Sequence, residues 1–205
     1  MIWKSTLEKY PGSKEPDPLP MALVHMDDYS SSVTLIEGYN HALIITDSSS
    51  KYRWQYGMKT KDEVLAMPKR WAAETADIQK DHPILGVVRD NAGENTSKEL
   101  NDYFTGHEIK NYFSTPYEQW QNGLAEASVN SVTMLGRPVM AESGLGGKFW
   151  FSATIHGVNC RNATLKERVG TTPHKKLFGK KKDVSRFRPY GCRGYMHQNQ
   201  ERRVK

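Results

Sequence analysis

The sequence predicts an α/β protein in which a mixed β-sheet carries helices on both faces. Short apolar runs of strand length alternate with longer segments of helical period, in the order three strands, helix, strand, helix, strand, helix, helix. One strand-like run, ILGVV, is apolar throughout, which is typical of a strand covered on both faces. Together these observations favour a three-layer architecture with a central sheet.

The first half of the chain supplies three predicted antiparallel strands. They are MALVHMD, the apolar run 41–46, and the aromatic segment KYRWQYGMK. The segment TKDEVLAMPKRWAAETADIQK has helical spacing, and Pro68 should kink or divide that helix because proline cannot donate a backbone hydrogen bond.

The second half supplies two more strands and three helices. PILGVVRDN is predicted as the fourth strand, TSKELNDYFTGHEI as a short helix, and KNYFSTP as a fifth strand that ends at Pro116. A long helix is predicted from Leu124 to Ser143, opened by Asn122 and Gly123, and KFWFSATIHGVNCRNAT is predicted as a last helix.

Length and composition exclude several classes of protein. A chain of 205 residues is one domain in size, and two widely spaced cysteines exclude a disulfide scaffold and a zinc site of clustered cysteines. No apolar run approaches the roughly 18 residues of a membrane-spanning helix. We therefore expect an intracellular protein with no membrane partner.

The net charge of +6 is unevenly divided. Residues 136–205 contain 16 Lys and Arg against four acids, so the first 135 residues contain 13 bases and 19 acids. This asymmetry is typical of a protein that holds a polyanion at one end and presents carboxylates near it. A solvated basic tail explains the same numbers, and charge alone does not separate the two.

Three acids occupy comparable positions in the predicted elements. Asp27 ends the first strand, Asp90 ends the fourth, and Glu126 lies in the first turn of the long helix. Asp90 follows the apolar run ILGVV, and open α/β sheets place ligands at the carboxyl ends of such strands, which favours a functional role for Asp90. An acid in a first helical turn also has an ordinary explanation, since it stabilises the helix dipole.

Five segments, in order, resemble the integrase catalytic core of Copia-type retrotransposons, from about Met21 to His197. They are VHMD, VVRDNAGE, STPYEQWQNGLAE, KFWF and DVSRFRPYGCRGYMH. The sharpest element is the pair Asp90 and Glu126, with 35 residues between them. The resemblance implies a ribonuclease-H-like fold with a five-stranded mixed sheet, and a catalytic, metal-binding triad of Asp27, Asp90 and Glu126.

The implied activity is DNA integration by metal-dependent phosphodiester cleavage and strand transfer. Such chemistry uses two Mg²⁺ ions, or Mn²⁺, about 4 Å apart, and hard cations of this kind prefer carboxylate oxygens. By the family's mechanism Asp27 would bridge both ions, while Asp90 and Glu126 would each hold one. Water and then a DNA 3′-hydroxyl would be the nucleophiles, and the implied partners are DNA and further copies of the chain.

Several neighbouring residues have ordinary explanations that we prefer. Asp28 would point to the opposite face of the strand from Asp27, because side chains alternate along a strand. Asp47 is expected to cap the turn at 48–50, Glu94 to be a solvated loop acid, and His25 to be a strand residue rather than a ligand.

The resemblance also suggests residues that contact nucleic acid. Gln119 and Asn122 resemble positions where integrases contact DNA ends, and Trp120 could stack on a base or cover the core. A lysine cluster could bind phosphate or act as a nuclear-localisation signal, and it could equally be a solvated tail. The cluster consists of Lys175, Lys176, Lys180, Lys181 and Lys182.

The expected organisation is a Pro-rich leader at 1–20, the integrase core at 21–178 and a truncated basic tail at 179–205. Departures from the family pattern qualify this picture. The zinc-binding His/His/Cys/Cys module is absent from residues 1–20, and the long helix carries no base after Glu126 until Arg137. Two alternatives stay open: a catalytically silent nucleic-acid-binding relic, and a ribonuclease H, which the QNG-x-AE context disfavours.

Overall fold

The computed structural model describes residues 8–9, 19–30, 35–89, 98–113 and 119–195, and for 8–9, 119–126 and 168 it describes the backbone alone. The strands are β1 (Glu8–Lys9), β2 (Leu23–Ser30), β3 (His41–Asp47), β4 (Arg53–Met58), β5 (Gly86–Arg89) and β6 (Lys110–Phe113). The helices are α1 (Met67–Glu74), α2 (Ala76–Asp81), α3 (Lys98–Gly106), α4 (Gln119–Ser143), α5 (Trp150–Ala163) and α6 (Pro173–Phe178).

The strands form one mixed sheet in the order β1, β6, β5, β2, β3, β4. β2, β3 and β4 are antiparallel neighbours, whereas β5 and β6 run parallel to β2. The predicted five-stranded mixed sheet is confirmed in β2 to β6. The two-residue strand β1 extends it at the edge beside β6, within a segment for which the sequence predicted only a leader. The domain boundaries stay predictions.

The two faces of the sheet pack against different helices. On one face Val24 and Met26 of β2 join a large apolar cluster that includes Trp71 of α1 and Phe104 of α3. On the other face Ile44 of β3 packs with residues of α4 and α5, among them Val132 and Val158. The predicted three-layer architecture is therefore confirmed, and alternation along each strand decides which layer a side chain enters.

Two helix boundaries differ from the sequence prediction. Pro68 lies in the first turn of α1, where its missing N–H costs nothing, so the predicted division occurs before α1 and not within it. α4 begins at Gln119 rather than near Leu124, so Asn122 and Gly123 lie inside the helix instead of opening it.

The segment that follows α5 is packed and includes a short helix that the sequence did not predict. Thr172 caps α6 by accepting the backbone N–H of Lys175, and Gly179 ends it in the left-handed conformation. Leu177 of this helix is buried in the large apolar cluster. Across the described residues, no helix is long and apolar enough to cross a membrane.

Candidate metal centre and nucleic-acid interface

Asp27 lies inside β2 and not at its end, which corrects the sequence prediction. The strand continues to Ser30 because β3 pairs with it over its full length, and Ile44 is the partner of Asp27. Alternation places Asp27 on the face that α4 and α5 cover, since Met26 enters the cluster on the opposite face. Asp28 shares the face of Met26, as predicted.

The register of β2 with β5 gives Asp27 its special position. The parallel pairing runs from Leu23 opposite Gly86 to Met26 opposite Arg89, where β5 ends. Asp27 thus directly follows Met26, whose partner Arg89 is the last described residue of β5. The next residue of the chain after Arg89 is Asp90, which lies outside the described residues.

Helix α4 crosses the same face of the sheet. Val129 and Val132 pack near Ile44 and Tyr29, so this part of the helix lies over β2 and β3. Position 126 precedes Val129 by three residues, roughly 4.5 Å along the helix axis. The backbone of α4 therefore carries position 126 on the Asp27 side of the sheet.

The position of Glu126 in α4 shows that interaction with the helix dipole does not explain this acid. The sequence placed this acid in the first turn, but α4 begins at Gln119 and Glu126 is its eighth residue. Interaction with the helix dipole falls off within the first turn, so it does not account for an acid here. The side chain of Glu126 lies outside the described residues, as do those of Gln119, Trp120 and Asn122.

The described residues contain no group of three or more His, Cys, Asp or Glu side chains that could hold a metal ion. Of the three predicted ligands, only the side chain of Asp27 belongs to that part of the chain, and it is partly exposed. The assignment of Asp27, Asp90 and Glu126 as metal ligands therefore stays a prediction. Glu94 also lies outside the described residues.

Two neighbours of the site have the structural roles that the sequence predicted. Asp47 is fully buried and caps the turn after β3: its carboxylate accepts the backbone N–H of Met21 at 2.8 Å and both the N–H and the hydroxyl of Ser50. Burial raises the pKa of this carboxyl group. His25 is a buried residue of β2, and burial followed by the charge of Lys51 lowers its pKa to about 3, which keeps the ring neutral.

Comparison with known proteins finds similarity to retrotransposon polyproteins. It is 25% identical over 186 residues to the retrovirus-related Pol polyprotein from transposon RE2 of Arabidopsis thaliana, covering 86% of this chain and 12% of the relative. It is 25% identical over 169 residues to the Pol polyprotein from transposon TNT 1-94 of Nicotiana tabacum, covering 82% and 13%. The chain is a homologue of Copia-type retrotransposon Pol polyproteins. No protein-family model matches it.

The fold is similar to that of a protein in a solved viral complex. A cryo-EM structure of the simian T-cell lymphotropic virus intasome in complex with PP2A regulatory subunit B56 gamma matches with a TM-score of 0.66 and 14% identity, covering 96% of this chain and 66% of that chain. The predicted ribonuclease-H-like α/β fold is confirmed. The chain spans about an eighth of the length of the Pol relatives that it matches.

Arg89, which the sequence analysis did not single out, joins β5 to its neighbouring elements on the face of the large apolar cluster. Its side chain is fully buried, and Nη2 donates at 2.7 Å to the amide oxygens of Asn101 in α3 and Asn111 in β6. Its guanidinium lies 5.0 Å from the ring centres of both Phe104 and Phe113. A single side chain thus fixes β5 against α3 and β6 at the residue before Asp90.

The basic C-terminal segment divides into packed and exposed lysines. Lys176 donates to the backbone oxygen of Ser49, which ties α6 to the turn after β3. Lys175, Lys180 and Lys181 are exposed. Lys182 borders an open cavity of about 370 Å³ together with His156, Asn159, Arg186, Phe187 and Arg188. Lys176 is thus packed while Lys175, Lys180 and Lys181 face solvent, and both phosphate binding by these lysines and a solvated tail stay open.

We expect Arg89→Lys to lower the free energy of unfolding by about 2 kcal/mol or more. Lysine cannot stack a planar group between two rings or bond two amides from one fork, so a buried charge would lose its partners. The matched control is Arg70→Lys, an exposed i,i+4 pair with Glu74, which should change stability by less than about 0.5 kcal/mol. Chemical denaturation measures both, and equal losses would show that the buried contacts of Arg89 contribute nothing.

Proposed function

We propose that the chain is the catalytic core of a retrotransposon integrase, which cleaves phosphodiester bonds at DNA ends and transfers the 3′ ends to target DNA. One observation carries the proposal. Asp27 lies on the α4 face of β2 and directly follows Met26, the partner of Arg89 in β5; Asp90 follows Arg89 in the sequence, and the α4 backbone brings position 126 to the same face as Asp27.

The carboxylates of Asp27, Asp90 and Glu126 are suitable ligands for a pair of Mg²⁺ or Mn²⁺ ions. Carboxylate oxygens are the ligands that these cations prefer, and a site built from three separate elements leaves positions for substrate oxygens. Bound ions would activate the attacking oxygen and stabilise the leaving oxygen of the phosphodiester. Asp27, inside a fully paired strand, would provide the rigid member of the set, with Asp90 and Glu126 approaching from β5 and α4.

The protein's own residues would position the DNA. The solved structural relative is an intasome, so we propose that this chain also acts on DNA ends as a homo-oligomer. Gln119 and Asn122 at the start of α4 would contact the DNA end, and the basic C-terminal segment would bind backbone phosphates. We also propose a nuclear location, in keeping with action on chromosomal DNA.

We expect Asp27→Asn to abolish metal-dependent nicking and strand transfer on labelled duplex oligonucleotides, a loss of roughly a thousandfold or more in rate. The amide keeps the size of the side chain but loses the charge that binds the metal. Asp28→Asn is the matched control, since Asp28 lies on the other face of the same strand, and it should keep activity within a few fold. Asp90→Asn and Glu126→Gln should behave like Asp27→Asn.

The same assay separates the enzyme from a silent binding relic. If the wild-type chain binds DNA but shows no Mg²⁺- or Mn²⁺-dependent cleavage, and Asp27→Asn is indistinguishable from it, the relic hypothesis replaces the proposal. Activity that survives in Asp27→Asn but is lost in Asp28→Asn would contradict the assignment of the site.

The lysines at 180–182 give a second expectation, which concerns the affinity for DNA. Replacing Lys180, Lys181 and Lys182 by Gln should flatten the slope of log K against log salt by about one unit for each lysine that contacts phosphate. The control replaces Lys80, Lys98 and Lys110 by Gln, which removes equal charge from α2, α3 and β6. Fluorescence anisotropy at several salt concentrations measures the slopes, and equal slopes in the two triple variants would exclude the C-terminal lysines as the phosphate contacts.

A further inference from the structure

Strand β4 is the outer strand of the described sheet and pairs with β3 alone. Alternate residues of such an edge strand turn their backbone N–H and C=O groups away from the sheet. Because the N–H of Asp47 donates to the carbonyl oxygen of Tyr52, the outward-facing residues of β4 are Arg53, Gln55 and Gly57. These backbone groups are placed to bond a further strand.

The outward groups of Arg53 are bonded by a side chain that imitates such a strand. Its N–H donates to Asn162 Oδ1 at 3.0 Å, and Asn162 Nδ2 donates back to its carbonyl oxygen at 2.8 Å. Residues of antiparallel strands exchange hydrogen bonds in this way. None of the residues that the structure describes bonds the outward backbone groups of Gln55 and Gly57. This part of the edge is therefore open to a partner.

A groove of about 370 Å³ lies along the open edge. Helix α5 forms one wall with the apolar side chains of Phe151 and Ile155, and α1 forms the other with Arg70 and Glu74. Glu74 accepts from Tyr56 Oη at 2.7 Å and from Arg70 Nε at 2.8 Å, which fixes the second wall to β4. A strand added to β4 would thus face an apolar wall on one side and a polar wall on the other, which suits side chains of alternating polarity.

The groove adjoins the basic cavity described above. Asn159 of α5 borders both of them. Lys182, Arg186 and Arg188 line the cavity, and none of the described residues around it is acidic. An occupant of the groove that continues past Asn159 should therefore carry carboxylates, because opposite charges across an interface favour association. The C-terminal sequence HQNQERRVK is itself basic and does not match this requirement.

We propose that the open edge of β4 binds an extended acidic segment of another protein as an added β-strand. The backbone of that segment bonds Gln55 and Gly57, its apolar side chains pack on the α5 wall, and its carboxylates lie beside the basic cavity. Free backbone groups at a sheet edge favour a peptide over nucleic acid, since strand addition uses main-chain hydrogen bonds of both partners. The site lies two strands from Asp27 and does not depend on the proposed function.

The test uses a fluorescein-labelled synthetic peptide in which valine and threonine alternate and which ends in three glutamates. Titrated into the wild-type chain, it should show saturable binding by fluorescence anisotropy. Hydrogen exchange followed by NMR should be slowed roughly tenfold or more at the amides of Gln55 and Gly57, because they gain partners. The amides of Trp54 and Tyr56, which face β3, should change little. Unchanged exchange at Gln55 and Gly57 with bound peptide would overturn the proposal.

Methylation of the backbone nitrogens of the peptide provides a matched control. Methyl groups on alternate residues remove the donors along one edge of the peptide strand and leave those of the other edge. One of the two alternate sets should weaken binding roughly tenfold or more, since hydrogen bonds to β4 are lost, while the other set should keep it within a few fold. Equal effects of the two sets would exclude strand addition.

The acidic character of the partner is tested separately. Replacing the glutamates of the peptide by glutamines should weaken binding severalfold, and the double variant Lys182→Gln and Arg186→Gln should have the same effect on the original peptide. The control Lys98→Gln and Lys110→Gln removes equal charge elsewhere and should keep the wild-type affinity. If the variant at 182 and 186 binds the original peptide as the wild type does, an acidic partner is excluded.

Two other occupants of the edge would give different results. If a single-stranded oligonucleotide slows exchange at Gln55 and Gly57 and the peptide does not, the edge binds nucleic acid. If exchange there slows as the protein concentration rises without peptide, a second copy of the chain covers the edge. Either result would overturn the proposal. Asp27→Asn should bind the peptide as the wild type does, which separates this proposal from the metal-dependent activity.

Discussion

Parallel pairing of β2 with β5 puts Met26 opposite Arg89, and this register fixes the position of the residue that follows Met26 in β2, Asp27. A shift of one residue would turn Asp27 toward the opposite helical layer, because side chains alternate strictly along a strand. The packing of Val24 and Met26 in the large apolar cluster prevents that shift. Apolar packing on one face of the sheet thus determines that Asp27 lies on the other face, beneath α4.

Two buried arginines, Arg89 and Arg53, lie on opposite faces of the sheet and make different contacts. Arg89 is enclosed by two aromatic rings and two side-chain amides on the face of the large cluster, so it acts as a structural tie between β5, β6 and α3. Arg53 lies on the face that α4 and α5 cover, where its Nη1 donates to Ser131 and its backbone is hydrogen-bonded to Asn162. Burial lowers the pKa of both guanidinium groups to about 10.

Much of the fold follows from local pattern. Apolar period predicts β3, β4, α3 and α5 within a few residues, because their buried faces repeat regularly along the chain. The start of α4 was misplaced because Asn122 and Gly123 are typical cap residues, yet the helix continues through them. β1 and α6 were not predicted, since β1 depends on pairing with β6, and α6 is short and basic, with Pro173 and Leu177 as its buried residues.

The sequence predicted the acids of the candidate site, but not the buried residues that hold the neighbouring strands and helices in place. The acids stand at recognisable places in the sequence, and alternation correctly separates Asp27 from Asp28. No sequence signal reveals that Arg89 bonds Asn101 and Asn111, because those contacts join residues distant along the chain. The hydrogen bonds between Asn162 and the backbone of Arg53 depend in the same way on how α5 crosses the sheet.

The central claim is that Asp27 belongs to a metal site formed with Asp90 and Glu126, and direct metal binding tests it most simply. Electron paramagnetic resonance of Mn²⁺ reports the free ion as the protein is added, for the wild type, Asp27→Asn and Asp28→Asn. The account predicts that the wild type and Asp28→Asn take up Mn²⁺ alike, while Asp27→Asn loses most of that uptake. Equal uptake by all three chains, or a loss confined to Asp28→Asn, would contradict it.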